Sequence, residues 1–128
     1  MSEIPFSFED GRTPRDATLC VTIPENIASK QALLTLLSRQ LSFPDYFGEN
    51  WDALDECMSD LSWLPIGSVI VNHSDVPLVG DVRNARIYLA ILRDAVGKMS
   101  KSSDHPLLIV FPTKFREQIS WLLRSRGT

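Results

Sequence analysis

Carboxylates are concentrated in one part of this chain. The stretch from residue 40 to residue 82 contains eight Asp or Glu residues and no Lys or Arg, although the whole chain has a formal net charge of only -3. The rest of the chain is therefore net positive. Carboxylates at this density could hold a divalent metal, act as general acid and base, or bind a basic partner. Solubility is a fourth explanation for such a charged face.

Four of these carboxylates share one face of a predicted helix. The segment from Asn50 to about Leu61 has helical periodicity, and Asn50 is a suitable N-cap. At about 100° per residue, the acidic positions fall opposite the apolar ones. The acidic face consists of Asp52, Asp55, Glu56 and Asp60. Like charges three or four residues apart cost roughly 0.2–0.5 kcal/mol per pair, so this pattern favours a binding face over a helix selected for stability alone.

Aromatic side chains flank the acidic helix. Tyr46, Phe47 and Trp51 lie before it or at its start, and Trp63 lies just after it. Aromatic residues beside a charged face are typical of binding hot spots, although each one alone is more often a core residue. Gly48 is expected to permit a tight turn before the N-cap. The predicted binding surface is an aromatic loop followed by an acidic helix.

Strand and helix signals alternate along the chain. Apolar, β-rich runs predict three strands, over residues 17–23, 68–72 and 107–111. Helical spacing predicts three further helices: one capped by Ser29 and ended before Pro44, one over residues 81–96 ended by Gly97, and one from Thr113 onward. The order β-α-α-β-α-β-α indicates an α/β domain with a small three-stranded parallel sheet, helices packed around it and an additional C-terminal helix.

The composition is that of one ordinary globular domain spanning residues 1–128. With 44% hydrophobic and 23% charged residues, the chain is neither disordered nor fibrous. The predicted core covers about residues 17–111. Residues 1–16 form a lead-in or an edge strand, and residues 112–128 form a helical extension. The N-terminus has no basic or long apolar run, so a cytoplasmic protein without a membrane segment is expected.

The cysteines and histidines do not form a recognisable chemical motif. Cys20 and Cys57 lie in apolar patterns and are expected to be reduced core thiols, although their spacing alone does not exclude a bridge. His73 and His105 lie beside strand ends. They are expected to be loop or capping residues rather than metal ligands or bases.

The segment from Leu41 to Leu54, followed by Cys57, resembles the barstar family of intracellular ribonuclease inhibitors. It reads LSFPDYFGENWDAL, and the run P-x-Y-Y/F-G-x-N-x-D-A-L is similar to the family's signature loop and second helix. The predicted element order agrees with the family's fold over residues 17–111. The resemblance implies that the loop and the acidic helix plug the active site of a small basic ribonuclease, with carboxylates in the places of RNA phosphates.

The resemblance also implies roles for individual residues. Asp52 would pair with an active-site Arg or Lys of the partner, Glu56 takes the place of the family's dominant aspartate, and Trp63 roughly that of a contacting tryptophan. Gly48 and Asn50 would shape the loop. From the charge pattern and the resemblance together, the expected partner-binding residues are Tyr46, Phe47, Gly48, Asn50, Trp51, Asp52, Asp55, Glu56, Asp60 and Trp63. No catalytic residue, metal or cofactor is expected.

Three departures from the family pattern bear on the choice of partner. Glu56 is one methylene longer than the family's aspartate, Asp55 replaces a bulky aromatic residue, and the loop to Trp63 is one residue longer. Buried charge pairs tolerate such shifts poorly. We therefore expect a basic ribonuclease or nuclease toxin other than the best-known secreted guanyl-specific enzyme. The free protein is expected to be a monomer that binds neither nucleic acid nor membranes.

Other functions stay open at this point. Asp52, Asp55 and Glu56 could serve a metal-dependent enzyme, although one exposed helix cannot enclose a metal. A protein with this fold could also bind a partner that is not a nuclease. Nucleic-acid binding is the least favoured alternative, because the acidic face would repel phosphate. Such binding would depend on the C-terminal segment, which has one acidic residue, Glu117, and four basic residues: Lys114, Arg116, Arg124 and Arg126.

Overall fold

A computed structural model describes residues 4–10, 19–44, 48–99 and 104–124. Tyr46, Phe47 and Arg126 lie outside the described residues. The strands are β1 (Ser7–Phe8), β2 (Leu19–Ile23), β3 (Val69–His73) and β4 (Leu107–Phe111). The α-helices are α1 (Lys30–Gln40), α2 (Trp51–Met58), α3 (Val82–Met99) and α4 (Arg116–Arg124), the last preceded by a 3-10 turn over Thr113–Phe115.

The strands form one parallel sheet in the order β1-β4-β3-β2. The predicted α/β class with a small parallel sheet is confirmed, but the sheet has four strands rather than three. The additional strand is β1, which pairs with β4 at the edge of the sheet. The Phe8 ring packs against the Phe111 ring, and the Glu9 backbone N–H donates to the Phe111 carbonyl at 3.0 Å. A two-residue strand held by such distant contacts leaves no periodic signal in the sequence.

The core lies between the sheet and the helices. On β2, Val21 and Ile23 are fully buried, whereas the alternating side chains of Cys20 and Thr22 are exposed. Both cysteines are free thiols, but only Cys57 is buried, so the expectation of a core thiol at Cys20 was wrong. Alternation along an edge strand explains the error, because every second side chain points away from the packed face.

Helix α1 begins and ends where its capping residues predict. The Ala32 backbone N–H donates to the Ser29 hydroxyl at 3.0 Å, which confirms Ser29 as the N-cap. At the other end, Ser42 is left-handed with φ 54°, and the Phe43 backbone N–H donates to the Ser38 carbonyl at 2.9 Å. This is a Schellman-type ending that turns the chain before Pro44.

Helix α3 runs past the residue predicted to end it. Gly97 lies inside the helix, which continues to the buried Met99, so the predicted termination was wrong. Burial of Met99 outweighs the helix-breaking tendency of glycine, which is roughly 1 kcal/mol relative to alanine. Among the described residues, no helix is long and apolar enough to cross a membrane.

The predicted C-terminal helix is present as α4, which packs on α3. Its buried side chains are Ile119, Leu122 and Leu123. The basic residues near its start lie over aromatic rings of the same chain: the Arg116 guanidinium is 4.4 Å from the Phe8 ring centroid, and the Lys114 ammonium is 5.4 Å from that of Phe115. The Arg116 contact ties the start of α4 to β1, whereas the Lys114 contact joins adjacent residues of the 3-10 turn.

His73 is a core residue, not the loop or capping residue that the sequence suggested. It is 1% exposed, and its ring stacks on Phe111 with centroids 4.0 Å apart. His105 does lie in a loop, before β4, but it is buried, and its Nε2 lies 3.0 Å from the Leu64 carbonyl oxygen. Both histidines are therefore buried, and ring nitrogen atoms of each lie within hydrogen-bond distance of other groups of the protein.

Candidate functional site: the acidic helix and its supports

Helix α2 begins at a cap that its own sequence supplies. Asn50 is extended, and its Oδ1 accepts a 2.8 Å hydrogen bond from the Ala53 backbone N–H. The preceding residue, Glu49, is left-handed with φ 56°. Its Oε1 accepts from Gln31 Nε2 at 2.6 Å. The side-chain bond to α1 thus holds Glu49 in a conformation that costs a non-glycine residue roughly 1–2 kcal/mol.

The absence of a side chain at Gly48 leaves room for this cap. A Cβ atom at this position would lie 3.3 Å from Asn50 Nδ2, closer than ordinary van der Waals contact. Within the described part of the turn, the left-handed residue is Glu49 rather than Gly48. We attribute the glycine to the space that the capping side chain requires.

The two faces of α2 are chemically distinct. Its apolar face is buried and consists of Leu54, Cys57 and Met58. On the opposite face, Asp52 and Glu56 are exposed and Asp55 is half-buried. The structure therefore brings these three predicted carboxylates together on the outward side of one short helix.

Asp60 does not lie on the helix. The helix ends at Met58, three residues before the predicted end, and Asp60 lies in the following turn. Leu61 then becomes left-handed, with φ 58°, and its side chain is fully buried. Burying Leu61 requires the chain to leave the helix, which a wheel drawn through this residue does not anticipate.

The Asp60 carboxylate nevertheless remains near the C-terminal end of α2. Burial raises the pKa of the Cys57 thiol, and the negative charges of Asp60 and Glu56 raise it further. Both carboxylates therefore lie close enough to Cys57 to influence its ionisation. Such a thiol is a poor nucleophile at neutral pH, because it stays protonated.

The acidic side chains are not neutralised within the described ranges. No Lys, Arg or His of these ranges forms an ion pair with Asp52, Asp55, Glu56 or Asp60; the ion pair present there joins Arg93 and Asp94 on α3. Nor do the described residues contain a group of three or more His, Cys, Asp or Glu side chains placed to hold a metal ion. Within the described part of the chain, these four carboxylates therefore have no cation of the protein itself as an ion-pair partner.

Trp51 anchors the start of α2 on α3. Its indole Nε1–H donates to Asn84 Oδ1 at 2.9 Å, and its ring lies 6.4 Å from that of Tyr88. Asn84 is itself held by a 2.8 Å hydrogen bond from its Nδ2 to Asp81 Oδ2. The ammonium of Lys30 lies 5.3 Å from the Trp51 ring centroid. Trp51 was predicted at the rim of the binding surface; it is half-buried, and its hydrogen bond to Asn84 holds the start of α2 against α3.

Trp63 has a similar supporting position at the other end of α2. Its Nε1–H donates to the Leu41 carbonyl at 2.8 Å, and its ring meets that of Phe43 edge-on at 5.8 Å. These contacts join the loop after α2 to the end of α1, where the predicted aromatic loop begins. Trp63 is half-buried, so part of its surface is available for contact.

Sequence reasoning did not find the polar residues that hold the acidic helix in place. Gln31 on α1 and Asn84 on α3 contact Glu49 and Trp51, which lie 18 and 33 residues away in the chain. Neither polar residue belongs to a motif. Their roles depend on how α1, α2 and α3 pack together, and no local pattern in the sequence specifies that packing.

The comparisons with known proteins agree with this geometry. The sequence model of a family described as Barstar (barnase inhibitor) matches residues 19–112. A search of curated proteins found no match. The matched segment extends from the start of β2 to just after β4 and includes all of α2, whereas β1 and α4 lie outside it. The match covers well over half of the chain, and this protein therefore belongs to the barstar family.

Proposed function

We propose that this protein inhibits a basic ribonuclease or a related nuclease toxin by covering its active site with α2 and the loop before it. The observation that carries the proposal is the outward face of α2, where Asp52, Asp55 and Glu56 lie together without an internal cation in the described residues. Members of the barstar family are inhibitors rather than enzymes, and the family name specifies a ribonuclease as their target.

The chemistry of such a target explains why carboxylates suit this role. A ribonuclease binds the phosphates of RNA with Arg and Lys side chains. Guanidinium groups that hold phosphate also hold carboxylate in a bidentate manner. Asp52, in the first turn of α2, and Glu56, one turn later, are spaced to meet two such cations. Inhibition then requires occlusion alone, with no bond made or broken.

The negative face also favours rapid binding. A concentrated negative surface increases the association rate with a positively charged partner, and this increase diminishes at high salt. An inhibitor that protects its host must capture the nuclease before RNA is cleaved. The like-charge repulsion within α2 is consistent with selection for such capture.

We further propose that the natural target differs from barnase. Relative to the family pattern, Glu56 has a longer side chain than the aspartate and Asp55 a smaller one than the aromatic residue. Trp63 is held by a hydrogen bond to the Leu41 carbonyl and by the Phe43 ring. Close charge pairs at an interface depend strongly on geometry. The expected affinity for barnase is therefore well below that for the natural target, and comparably tight binding to barnase would contradict this part of the proposal.

Affinity capture tests the function directly. Immobilised wild-type protein is incubated with native cytosol and with culture fluid of neighbouring cells, and retained proteins are identified and assayed for ribonuclease activity. The test variant is Asp52→Ala/Glu56→Ala. The control is Glu25→Ala/Glu117→Ala, which removes the same charge from exposed sites outside α2.

A basic nuclease retained by the wild type and the control, and lost by the test variant, would support the proposal. It should also be inhibited in solution by the wild-type protein at a one-to-one ratio. Identical captures by all three proteins would rule out α2 as the binding surface. Retention of a protein without nuclease activity would indicate a different function for this member of the family.

A further inference from the structure

Lys30 places a positive charge beside the start of the acidic helix. It is the first residue of α1, it is half-buried, and its ammonium lies 5.3 Å from the centroid of the Trp51 ring. That distance is within the range of about 6 Å at which a cation is attracted to an aromatic face. Trp51 is itself fixed by Asn84 and Tyr88. The position of this cation is thus set by three elements of the fold.

The stability of α1 does not account for a cation at this position. The N-terminus of a helix carries a partial positive charge, which disfavours Lys in the first turn. The first turn of α1 contains no acidic residue that would offset the effect. In the described part of the chain, no carboxylate forms an ion pair with Lys30, which leaves the aromatic ring as its compensating contact.

Lys30 also breaks the charge pattern of the surface around it. The ring that it covers belongs to the first residue of α2, directly beside Asp52, and residues 40–82 contain no Lys or Arg. A partner with a uniformly basic surface would be repelled at this point. A partner with an anionic group opposite Lys30 and cations opposite the carboxylates of α2 would be complementary in charge to the whole surface. Charge patterns of this kind discriminate between partners of similar net charge.

We infer that Lys30 is a specificity-determining residue: the preferred nuclease presents a carboxylate or another anionic group to Lys30 while its cations meet Asp52 and Glu56. This inference rests on the proposed function, because it assigns a feature of the partner that the acidic helix binds. Lys30 selects among basic nucleases, whereas the carboxylates supply most of the attraction.

Three substitutions separate the charge of Lys30 from its packing on Trp51. Lys30→Met keeps the aliphatic stem over the ring and removes the charge, Lys30→Arg keeps a cation, and Lys30→Glu reverses the charge. The probe is the nuclease retained by the wild-type protein, and surface plasmon resonance gives its dissociation constant. Asp52→Asn serves as the reference variant, and thermal unfolding with near-UV circular dichroism verifies that each variant keeps the Trp51 environment.

The charge pairing predicts a graded series. We expect Lys30→Met to raise the dissociation constant about 5- to 10-fold and Lys30→Glu about 100-fold, while Lys30→Arg stays within about 2-fold of the wild type. A double-mutant cycle against Asp→Asn and Glu→Gln substitutions around the nuclease active site should then find one carboxylate whose effect disappears in Lys30→Met.

The outcomes distinguish this inference from the proposed function. If Lys30→Met binds as tightly as the wild type, or more tightly, while Asp52→Asn binds more weakly, the role of Lys30 is overturned and the proposed function stands. If neither substitution changes the affinity, or no nuclease is retained at all, both proposals fall. If Lys30→Met loses its fold, the comparison of Lys30→Arg with Lys30→Gln gives the same decision.

Discussion

Lowering the pH from 7 to 5 should destabilise this protein through the buried side chain of His73. His73 Nδ1 lies 3.1 Å from the Val110 carbonyl, which can only accept, so Nδ1 carries the proton. Nε2 is then the acceptor of the 2.7 Å hydrogen bond from the Tyr88 hydroxyl. The fold therefore holds the neutral ring, and burial lowers the pKa of His73 from 6.5 to about 3, against a smaller opposing effect of backbone hydrogen bonds.

The sign of the effect follows from the lowered pKa. Below pH 6.5 the unfolded chain gains a proton on His73 that the folded chain does not accept until the pH approaches 3. The stabilising contribution is complete above pH 6.5 and is lost progressively as the pH falls. At 1.36 kcal/mol per pKa unit, the loss between pH 7 and pH 5 is about 2 kcal/mol. This value is insensitive to the native pKa, provided that it lies below about 4.

Urea unfolding at pH 7, 6 and 5 measures this contribution. The comparison variant is His73→Gln, which has an amide donor and a carbonyl acceptor but does not titrate. The carboxylates and His105 are common to both proteins, so the difference between their unfolding free energies isolates His73. We expect the advantage of the wild type over the variant to shrink by about 2 kcal/mol between pH 7 and pH 5.

Parallel pH profiles for the two proteins would refute this reasoning. They would mean that the folded protein accepts a proton at His73 near the ordinary pKa of histidine. At pH 5 the Nε2 atom would then be protonated and could not accept from Tyr88, because a protonated ring has no acceptor. Nitrogen chemical shifts of the His73 ring at pH 5 would show directly which state the fold holds.

Three further predictions concern α2 and the cysteines. Asn50→Ala removes the N-cap and should lower the unfolding free energy by about 1 kcal/mol in urea, whereas an unchanged value would show that the cap contributes nothing. Glu56→Gln relieves like-charge repulsion and should raise the unfolding free energy by roughly 0.2–0.5 kcal/mol while weakening capture of the nuclease; lower stability would contradict the repulsion. Cys20 should react with Ellman's reagent in the native protein and Cys57 only after unfolding, since Cys57 is buried and burial raises the pKa of its thiol. Single Cys→Ser variants assign the two signals, and a fast reaction of the native Cys20→Ser variant would contradict the protection of Cys57.

The elements that sequence predicted well are those whose signals are local. The caps at Ser29 and Asn50 depend on side chains that bond within the same turn, and the apolar run of β4 is buried at every position except Leu108. The prediction that Gly97 ends α3 was wrong because it ignored tertiary packing: burial of Met99 extends the helix beyond the glycine.

In the candidate site, too, the features that the sequence predicted have local causes, and those that it did not predict depend on distant contacts. Asp52, Asp55 and Glu56 share a face because helical periodicity alone places them there. The directions of Trp51 and Trp63 are set by hydrogen-bond partners 33 and 22 residues away. A flanking position in the sequence therefore did not reveal that both indoles bond inward.

The contacts of α2 with the rest of the domain explain how a helix with clustered negative charges stays ordered. A helix of eight residues is too short to be stable alone in water, and clustered carboxylates destabilise it further. Burial of Leu54 and Met58 and the hydrogen bond from Trp51 to Asn84 supply the missing stability from outside the acidic face. The exposed side of α2 is thereby left free to carry charge. In the proposed binding mode the helix is already ordered before it meets the nuclease, so little conformational entropy would be lost on binding. Electrostatic attraction would then be converted into affinity more fully than a flexible acidic segment would allow.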